Sequence, residues 1–331
     1  MQELRTELIT TLDELKTLTS EWHDLLSRSH STVFQTPEFL LSWWETLGSG
    51  ELWVTVFRTA SDGRLVGIAP LMKNVDDNGK KTICFIGCVA VSDYLDYIID
   101  PIYQEEVWTQ LRSLLSQNSE WNRLYFCSIQ AQSSTRTNLQ QLFPTLLETQ
   151  QDVCPTIQLP SDWDSYLSTL NRKQRHELKR KMRNITSQDP QFSCLTTATE
   201  VKAALPTFVR LHELSSKEKK SFWSDEHRAF FELVLPSLAA SGYIKLFFLE
   251  LAGEKVATML VFEYAEGYYL YNSGFDPAYQ QWSIGTVLTG YTIQQAITEN
   301  KKIYDFLRGN EEYKFRFGAV AQPIFDYDVV R

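Results

Sequence analysis

The stretch from Lys245 to Lys314 changes its apolar period twice, and no other feature constrains the fold as tightly. Ile244–Leu251, Val256–Tyr264 and Tyr268–Ser273 have strand composition. They are separated by Ala252-Gly253-Glu254 and Ala265-Glu266-Gly267, two turn sequences, and so predict a β-meander. Helical spacing follows over Ile284–Glu299, after the segment Gln280-Gln-Trp-Ser-Ile-Gly285. A short apolar strand returns at Ile303–Leu307. Ionisable residues then crowd together at Arg308, Glu311, Glu312 and Lys314.

The first part of the chain runs in a similar order. Leu52–Arg58, Leu65–Lys73, Lys81–Val89 and Asp93–Asp100 read as strands, Glu105–Gln117 as a helix and Arg123–Ile129 as a further strand. Gly63–Met72 matches Gly253–Phe262 in pattern, and Ile99-Asp-Pro-Ile-Tyr103 matches Phe275-Asp-Pro-Ala-Tyr279. The expectation is a duplicated α+β fold. Its halves, 1–155 and 156–331, would each be a mostly antiparallel mixed sheet flanked by helices. Residues 7–47 carry helical spacing, with Thr36 as N-cap and Pro37 at N1 of a second helix. Helices also cover roughly 199–215 and 225–241.

Composition narrows the function. A net charge of −9 argues against general nucleic-acid binding, which needs basic surface. No run of 18 apolar residues offers a membrane span, and Met1-Gln-Glu-Leu-Arg-Thr-Glu7 lacks the apolar core of a secretory signal. The five cysteines form no C-x-x-C pair and sit mostly in apolar runs, as reduced core thiols do. These features describe a soluble, cytoplasmic protein. The histidines have no metal-ligand spacing, so no metal is expected.

One helix breaks the acidic pattern. Asn171–Asn184 holds seven Lys/Arg and one Glu, a local charge of +6 that leaves −15 for the rest. In a helix over 171–186, Leu178, Met182 and Ile185 form the buried stripe, while Arg172, His176, Lys179 and Arg183 share another face. That face is either a solvated charged surface or a site for an anionic substrate.

Leu270-Tyr-Asn-Ser-Gly-Phe-Asp-Pro277, Ser283-Ile-Gly285 and Tyr304–Lys314 together resemble the GNAT acyltransferases, and more closely the tandem-GNAT group related to the FemABX peptidyltransferases. The layout is similar along nearly the whole chain and specific from about 244 to 318. Typical members carry Q/R-x-x-G-x-G/A at a pyrophosphate loop. Here Gln280-x-x-Ser283-x-Gly285 stands, with serine at the first glycine.

The resemblance implies an acyl-CoA donor, acetyl-CoA or another acyl-CoA. Backbone N–H groups at the helix start would grip the pyrophosphate, with Gln280, Ser283, Ile284, Gly285 and Thr286 around it. Tyr271 and Ser273 lie on the strand whose backbone would polarise the acyl carbonyl. Ser283 equally suits an ordinary N-cap. Tyr313 stands near the place where many GNAT enzymes keep the tyrosine that protonates the departing thiolate, and aromatic packing is the alternative. Lys314 parallels a FemABX-like lysine that stabilises developing charge, or is a solvated surface lysine. Asp305 either joins Arg308 and Lys314 in a structural network or orients Arg308 or the acceptor. Glu311 suits a general base for an amine, or simply a helix start.

Arg308, Arg172, His176 and Lys179 are candidates for holding an anionic acceptor, a small molecule or a saccharide such as a polysaccharide precursor. Glu105 and Glu106 at the matching helix start of the first half would repel phosphate, which assigns the donor to the second half. Transfer would be direct, because no cysteine or serine sits in a nucleophile–base constellation. Two other readings stay open. One is FemX-like transfer from aminoacyl-tRNA to a cell-wall precursor, against which the net charge counts. The other is a degenerate binding subunit in polysaccharide assembly.

Overall fold

The computed structural model describes residues 3–88, 91–117 and 121–331. They form two compact units. The first runs up to Asp152 and also takes Pro323–Arg331; the second is Val153–Gln322. The expected division placed 323–331 in the C-terminal half. In the structure these residues pair with a strand of the first unit instead.

The first unit opens with a strand, β1 (Leu4–Ile9), antiparallel to β3 (Val54–Thr59). Helical spacing was expected from residue 7. The run buries only Leu4 and Ile9, so its pairing rather than its own period decides its state. Helices α1 (Leu12–Thr17), α2 (Thr19–Leu26) and α3 (Pro37–Leu47) follow. Thr36 caps α3 as expected, its Oγ1 accepting the Phe39 N–H at 3.3 Å.

Pro70 splits the expected strand Leu65–Lys73 into β4 (Leu65–Ala69) and β5 (Leu71–Val75), because proline cannot donate to a ladder. The strand at Leu52 begins as β2 (Glu51–Leu52), which pairs with β5. Next come β6 (Lys81–Phe85) and β7 (Ile98–Ile99). Val89, expected in the third strand, lies outside the described residues. Asp93–Tyr97, expected as strand, is instead a largely buried irregular segment. After α4 (Gln104–Gln117), β8 (Arg123–Gln130) runs parallel to β6, and α5 (Ser134–Leu142) follows. Cys88 and Cys127 are joined by a disulfide with Cα atoms 6.0 Å apart, which corrects the expectation of reduced thiols.

In the second unit the end of β9 (Leu147–Gln158) leads into α6 (Trp163–Thr169) and the basic helix α7 (Arg172–Asn184). Strand β10 (Gln191–Leu195), helices α8 (Ala198–Ser215), α9 (Lys217–Ser221) and α10 (Asp225–Ala240), and the meander β11 (Ile244–Leu251), β12 (Glu254–Tyr264) and β13 (Gly267–Phe275) follow. Then come α11 (Ile284–Thr298), β14 (Ile303–Asp305) and α12 (Glu312–Phe315). The sheet order is β10-β11-β12-β13-β14-β9. All pairs are antiparallel except β13 with β14. The chain closes with β15 (Val320–Val330), antiparallel to β8.

Strand β12 is buried without a break from Val256 to Phe262 because helices cover both its faces: α8 on one, α11 on the other. Met259 receives the Thr289 and Thr292 hydroxyls of α11, while Gly274, paired with Thr258, backs onto the main chain of α8. A Cβ at Gly274 would lie 2.5 Å from the His212 nitrogen, so only glycine lets α8 come this close. Helix α11 is apolar nearly all round, as a helix buried against a sheet must be. Leu178 and Ile185 of the basic segment are buried and Met182 packs on the same core, as the sequence spacing predicted. No helix among the described residues is long and apolar enough to cross a membrane.

Both units repeat one local architecture. Asp100 N–H donates to the Val66 carbonyl at 3.0 Å, and Asp276 N–H to that of Val256 at 2.8 Å. The registers Gly67↔Ile99 and Ile68↔Ile98 recur as Ala257↔Phe275 and Thr258↔Gly274. Each Asp-Pro then caps a short 3-10 turn ahead of a long helix.

Candidate active site

In the second unit β13 and β14 part company. Their parallel pairing ends at Tyr269↔Asp305, yet β13 runs on to Phe275. A bulge helps turn it away: Leu260 faces Asn272 and Val261 faces Leu270, leaving Tyr271 as the extra residue. The wedge so opened is a cavity of about 440 Å³ that reaches both sheet faces. Met259, Gly285, Thr286 and Thr289 line it on the α11 side, and Ser215, Lys219 and Asn272 on the α8–α9 side.

Beyond β14 the chain makes an unusual turn. Leu307 has φ +55° and Gly309 φ +121°, so successive carbonyls converge. The Lys314 ammonium fills their focus. It donates to the carbonyls of Leu307 (3.1 Å), Arg308 (2.8 Å) and Gly309 (3.1 Å) and pairs with Glu311 at 2.9 Å. Lys314 is 3% exposed, which rules out a solvated surface lysine. Asp305, also buried, accepts the Leu307 N–H at 2.7 Å and so fixes the same turn from the other end. Tyr313 lines the wedge edge-on to Phe306, ring centroids 6.1 Å apart. Its phenol titrates above the ordinary range, through desolvation first and the Glu311 carboxylate second.

The opposite face carries groups that sequence reasoning missed. Lys219 donates to the Ser273 carbonyl. Desolvation pulls its pKa down to about 8, against a raising influence from Glu311, with Lys314 lowering it further. In a strand a residue's N–H and C=O point to the same side, so the Ser273 N–H faces the wedge too. His212, 2% exposed, lies between Trp223 and Asn272. Lys219 comes from Ser215-Ser-Lys-Glu-Lys-Lys220, which reads as a solvated charged loop. His212 reads as a lone core histidine. No spacing signal marks either.

Ser283 is not an ordinary N-cap. It has φ +54° and ψ +38° and makes no side-chain capping bond. An ordinary cap is extended. This left-handed backbone is what a glycine adopts easily, and it falls where the family pattern has its first glycine. The first-turn N–H groups of α11 have no intrahelical partner, by helix geometry. A Cβ added at Gly285 would meet nothing outside its own helix and chain neighbours nearer than Phe275 at 3.8 Å, so there is room beside this residue. Lys181 of α7, a further residue the sequence did not single out, brings its ammonium to 3.5 Å from the Thr286 hydroxyl.

The wedge thus gathers Tyr271, Ser273, Gly285, Thr286, Arg308, Glu311, Tyr313 and Lys314 of the expected residues. The Tyr271 ring itself packs on Phe231 and Phe262. Ile284 turns its side chain into the core, Gln280 is exposed on the preceding 3-10 turn, and neither they nor Ser283 and Asp305 line the cavity. Arg172, His176 and Lys179 stand on the exposed face of α7 and line a separate open hollow. In the first unit Tyr97, 4% exposed, packs on Phe85 of β6, Trp108 of α4 and Phe126 of β8. An aromatic plug therefore fills the place that corresponds to the wedge.

Residues 172–315 match the family model of the acetyltransferase (GNAT) domain. No curated protein matches the chain. Among solved structures the fold is similar to that of FemX, at 11% identity over 99% of this chain and 97% of that one, with a TM-score of 0.69. It is also similar to the C-terminal domain of a putative lysylphosphatidylglycerol synthetase from Agrobacterium fabrum, at 10% identity, 96% and 92% coverage and a TM-score of 0.58. A tandem GNAT protein from the clavulanic acid biosynthesis pathway aligns over 99% and 98% at 12% identity, with a TM-score of 0.50. At such identities these likenesses speak for the fold alone.

Proposed function

Starting from the GNAT acetyltransferase domain of residues 172–315, we propose that the second unit moves an acyl group directly from acyl-CoA to an amine or hydroxyl acceptor. The observation that carries this reading is the wedge between β13 and β14, open beside the first turn of α11. Free backbone donors and the positive end of a 15-residue helix favour a pyrophosphate there. Gly285 leaves the main chain accessible, and Thr286 and Lys181 add a hydroxyl and a cation. The bound donor supplies a thioester.

Within the wedge the Ser273 N–H faces the acyl carbonyl and stabilises its oxygen as charge develops. The acceptor nitrogen or oxygen forms the new bond to the carbonyl carbon, and the carbon–sulfur bond breaks. Tyr313 retains its proton at neutral pH and gives it to the departing thiolate. Glu311 takes the proton that the acceptor loses. Lys314 shapes the site by holding the 307–309 turn. The charged face of α7, with Arg172, His176 and Lys179, supports an anionic acceptor such as a saccharide precursor, and Arg308 at the wedge would meet its reacting end.

Isothermal titration with acetyl-CoA tests the donor. Binding in the micromolar to millimolar range usual for enzyme substrates is expected. No heat and no thermal shift at millimolar ligand would refute it. Salt-sensitive binding of aminoacyl-tRNA in its place would favour a FemX-like donor.

A further inference from the structure

We propose that Asn272 is a side-chain donor to the acyl carbonyl, held in its donating orientation by a relay from Trp223 through His212. This rests on the acyl-CoA reading above. The relay follows from what each group is able to do. An indole nitrogen only donates. Trp223 Nε1–H lies 3.0 Å from His212 Nδ1, so Nδ1 is the acceptor and carries no proton. A neutral imidazole then holds its proton on Nε2, and burial keeps His212 neutral by lowering its pKa to about 4.

Nε2–H in turn lies 3.0 Å from Asn272 Oδ1, which must accept. The Asn272 carboxamide oxygen is thereby taken, and its NH₂ is the part left for a ligand. The orientation of this amide is fixed by two linked hydrogen bonds across three buried or half-buried residues.

Position completes the argument. Asn272 borders the bulge at Tyr271 and lines the wedge next to Ser273, whose N–H faces the same space. Asn272 pairs with Leu260 and so projects on the α8 face, opposite α11. In this arrangement an acyl group entering from the α11 side presents its carbonyl to Asn272 across the wedge. In this account Asn272 touches the reacting oxygen and is catalytic, while His212 and Trp223 are positioning residues.

Nuclear magnetic resonance of the full chain, perdeuterated and ¹⁵N-labelled, tests each link. Imidazole correlations should show His212 as the Nε2–H tautomer at pH 7; an Nδ1–H or a doubly protonated ring overturns the relay. Asn272→Asp, which keeps an acceptor for His212, identifies the Asn272 side-chain amide by its loss. That amide should shift with acetyl-CoA and stay unmoved with free CoA, which lacks the thioester carbonyl. If the Gly285 and Thr286 amides shift with acetyl-CoA while the Asn272 side chain does not, this inference fails and the donor assignment stands. If none of them shifts, the donor assignment itself fails. In Trp223→Phe, with the fixed donor gone, a second His212 tautomer should appear; an unchanged single Nε2–H signal would show that Trp223 positions nothing.

Discussion

Replacing Lys314 by methionine separates a structural cation from a catalytic one. The ammonium satisfies three carbonyls, one buried and two half-buried, and its ion pair is to a Glu311 side chain that is 57% exposed. Methionine keeps the stem but strands the three acceptors. A buried acceptor left without a partner costs about 1–3 kcal/mol, and part of this is recovered as the turn relaxes. The turn is also pinned by Asp305, which accepts the Leu307 N–H at 2.7 Å, so it relaxes only in part. The net loss should be about 3–5 kcal/mol, the lower part of the summed range for three such acceptors. For a unit of this size that is about 6–20 °C in Tm.

Glu311→Gln isolates the ion pair, which at this exposure should contribute no more than about 1 kcal/mol. Thermal unfolding of the three proteins, followed by circular dichroism, makes the comparison. If Lys314→Met loses less than about 2 °C yet abolishes turnover, the carbonyl cage is not what Lys314 is for, and direct charge stabilisation returns.

Three other outcomes follow from the same geometry. Gly285→Leu should fold with a Tm no lower than wild type, since outside its own helix and chain neighbours only Phe275 Cδ1 lies within 4 Å of the new Cβ, and should weaken acetyl-CoA binding at least about tenfold by titration. Gly309→Ala should lower stability by about 1–3 kcal/mol in urea unfolding, because φ is +121° and Glu311 Oε2 would lie 2.4 Å from the added carbon. His212 bears on pH. Its folded pKa is depressed, so the unfolded chain takes up the proton first, and the stability it contributes is present above pH 6.5 and lost as pH falls toward about 4. The stability difference between wild type and His212→Gln should shrink across that window, and a pH-independent difference would show that His212 can charge in place.

The meander, the helix after it and the basic amphipathic segment could be read from the chain because their periods are set locally. Turn residues bound each strand of the meander, and Leu178, Met182 and Ile185 recur at helical spacing. The duplicated Asp-Pro turns could also be read, since their Asp caps and fixed proline φ depend on neighbours in sequence. Strand β1 could not, because its partner lies some fifty residues away at Val54–Thr59. Nor could the disulfide between Cys88 and Cys127, 39 residues apart.

The site divides the same way. Residues 305–314 announce themselves as a cluster of ionisable groups, but their roles come from where the backbone bends. A left-handed Leu307 and Gly309 turn three carbonyls onto Lys314, and nothing in Phe-Leu-Arg-Gly says so. Sequence by itself determined the meander, the helix after it, the basic amphipathic helix and the repeated Asp-Pro turn. Tertiary structure alone decided that one wedge is open while Tyr97 fills its counterpart, and that Lys219, His212 and Asn272 meet beside it. Local propensity acts over a few residues, whereas a cavity is the space left between elements that are distant in the chain.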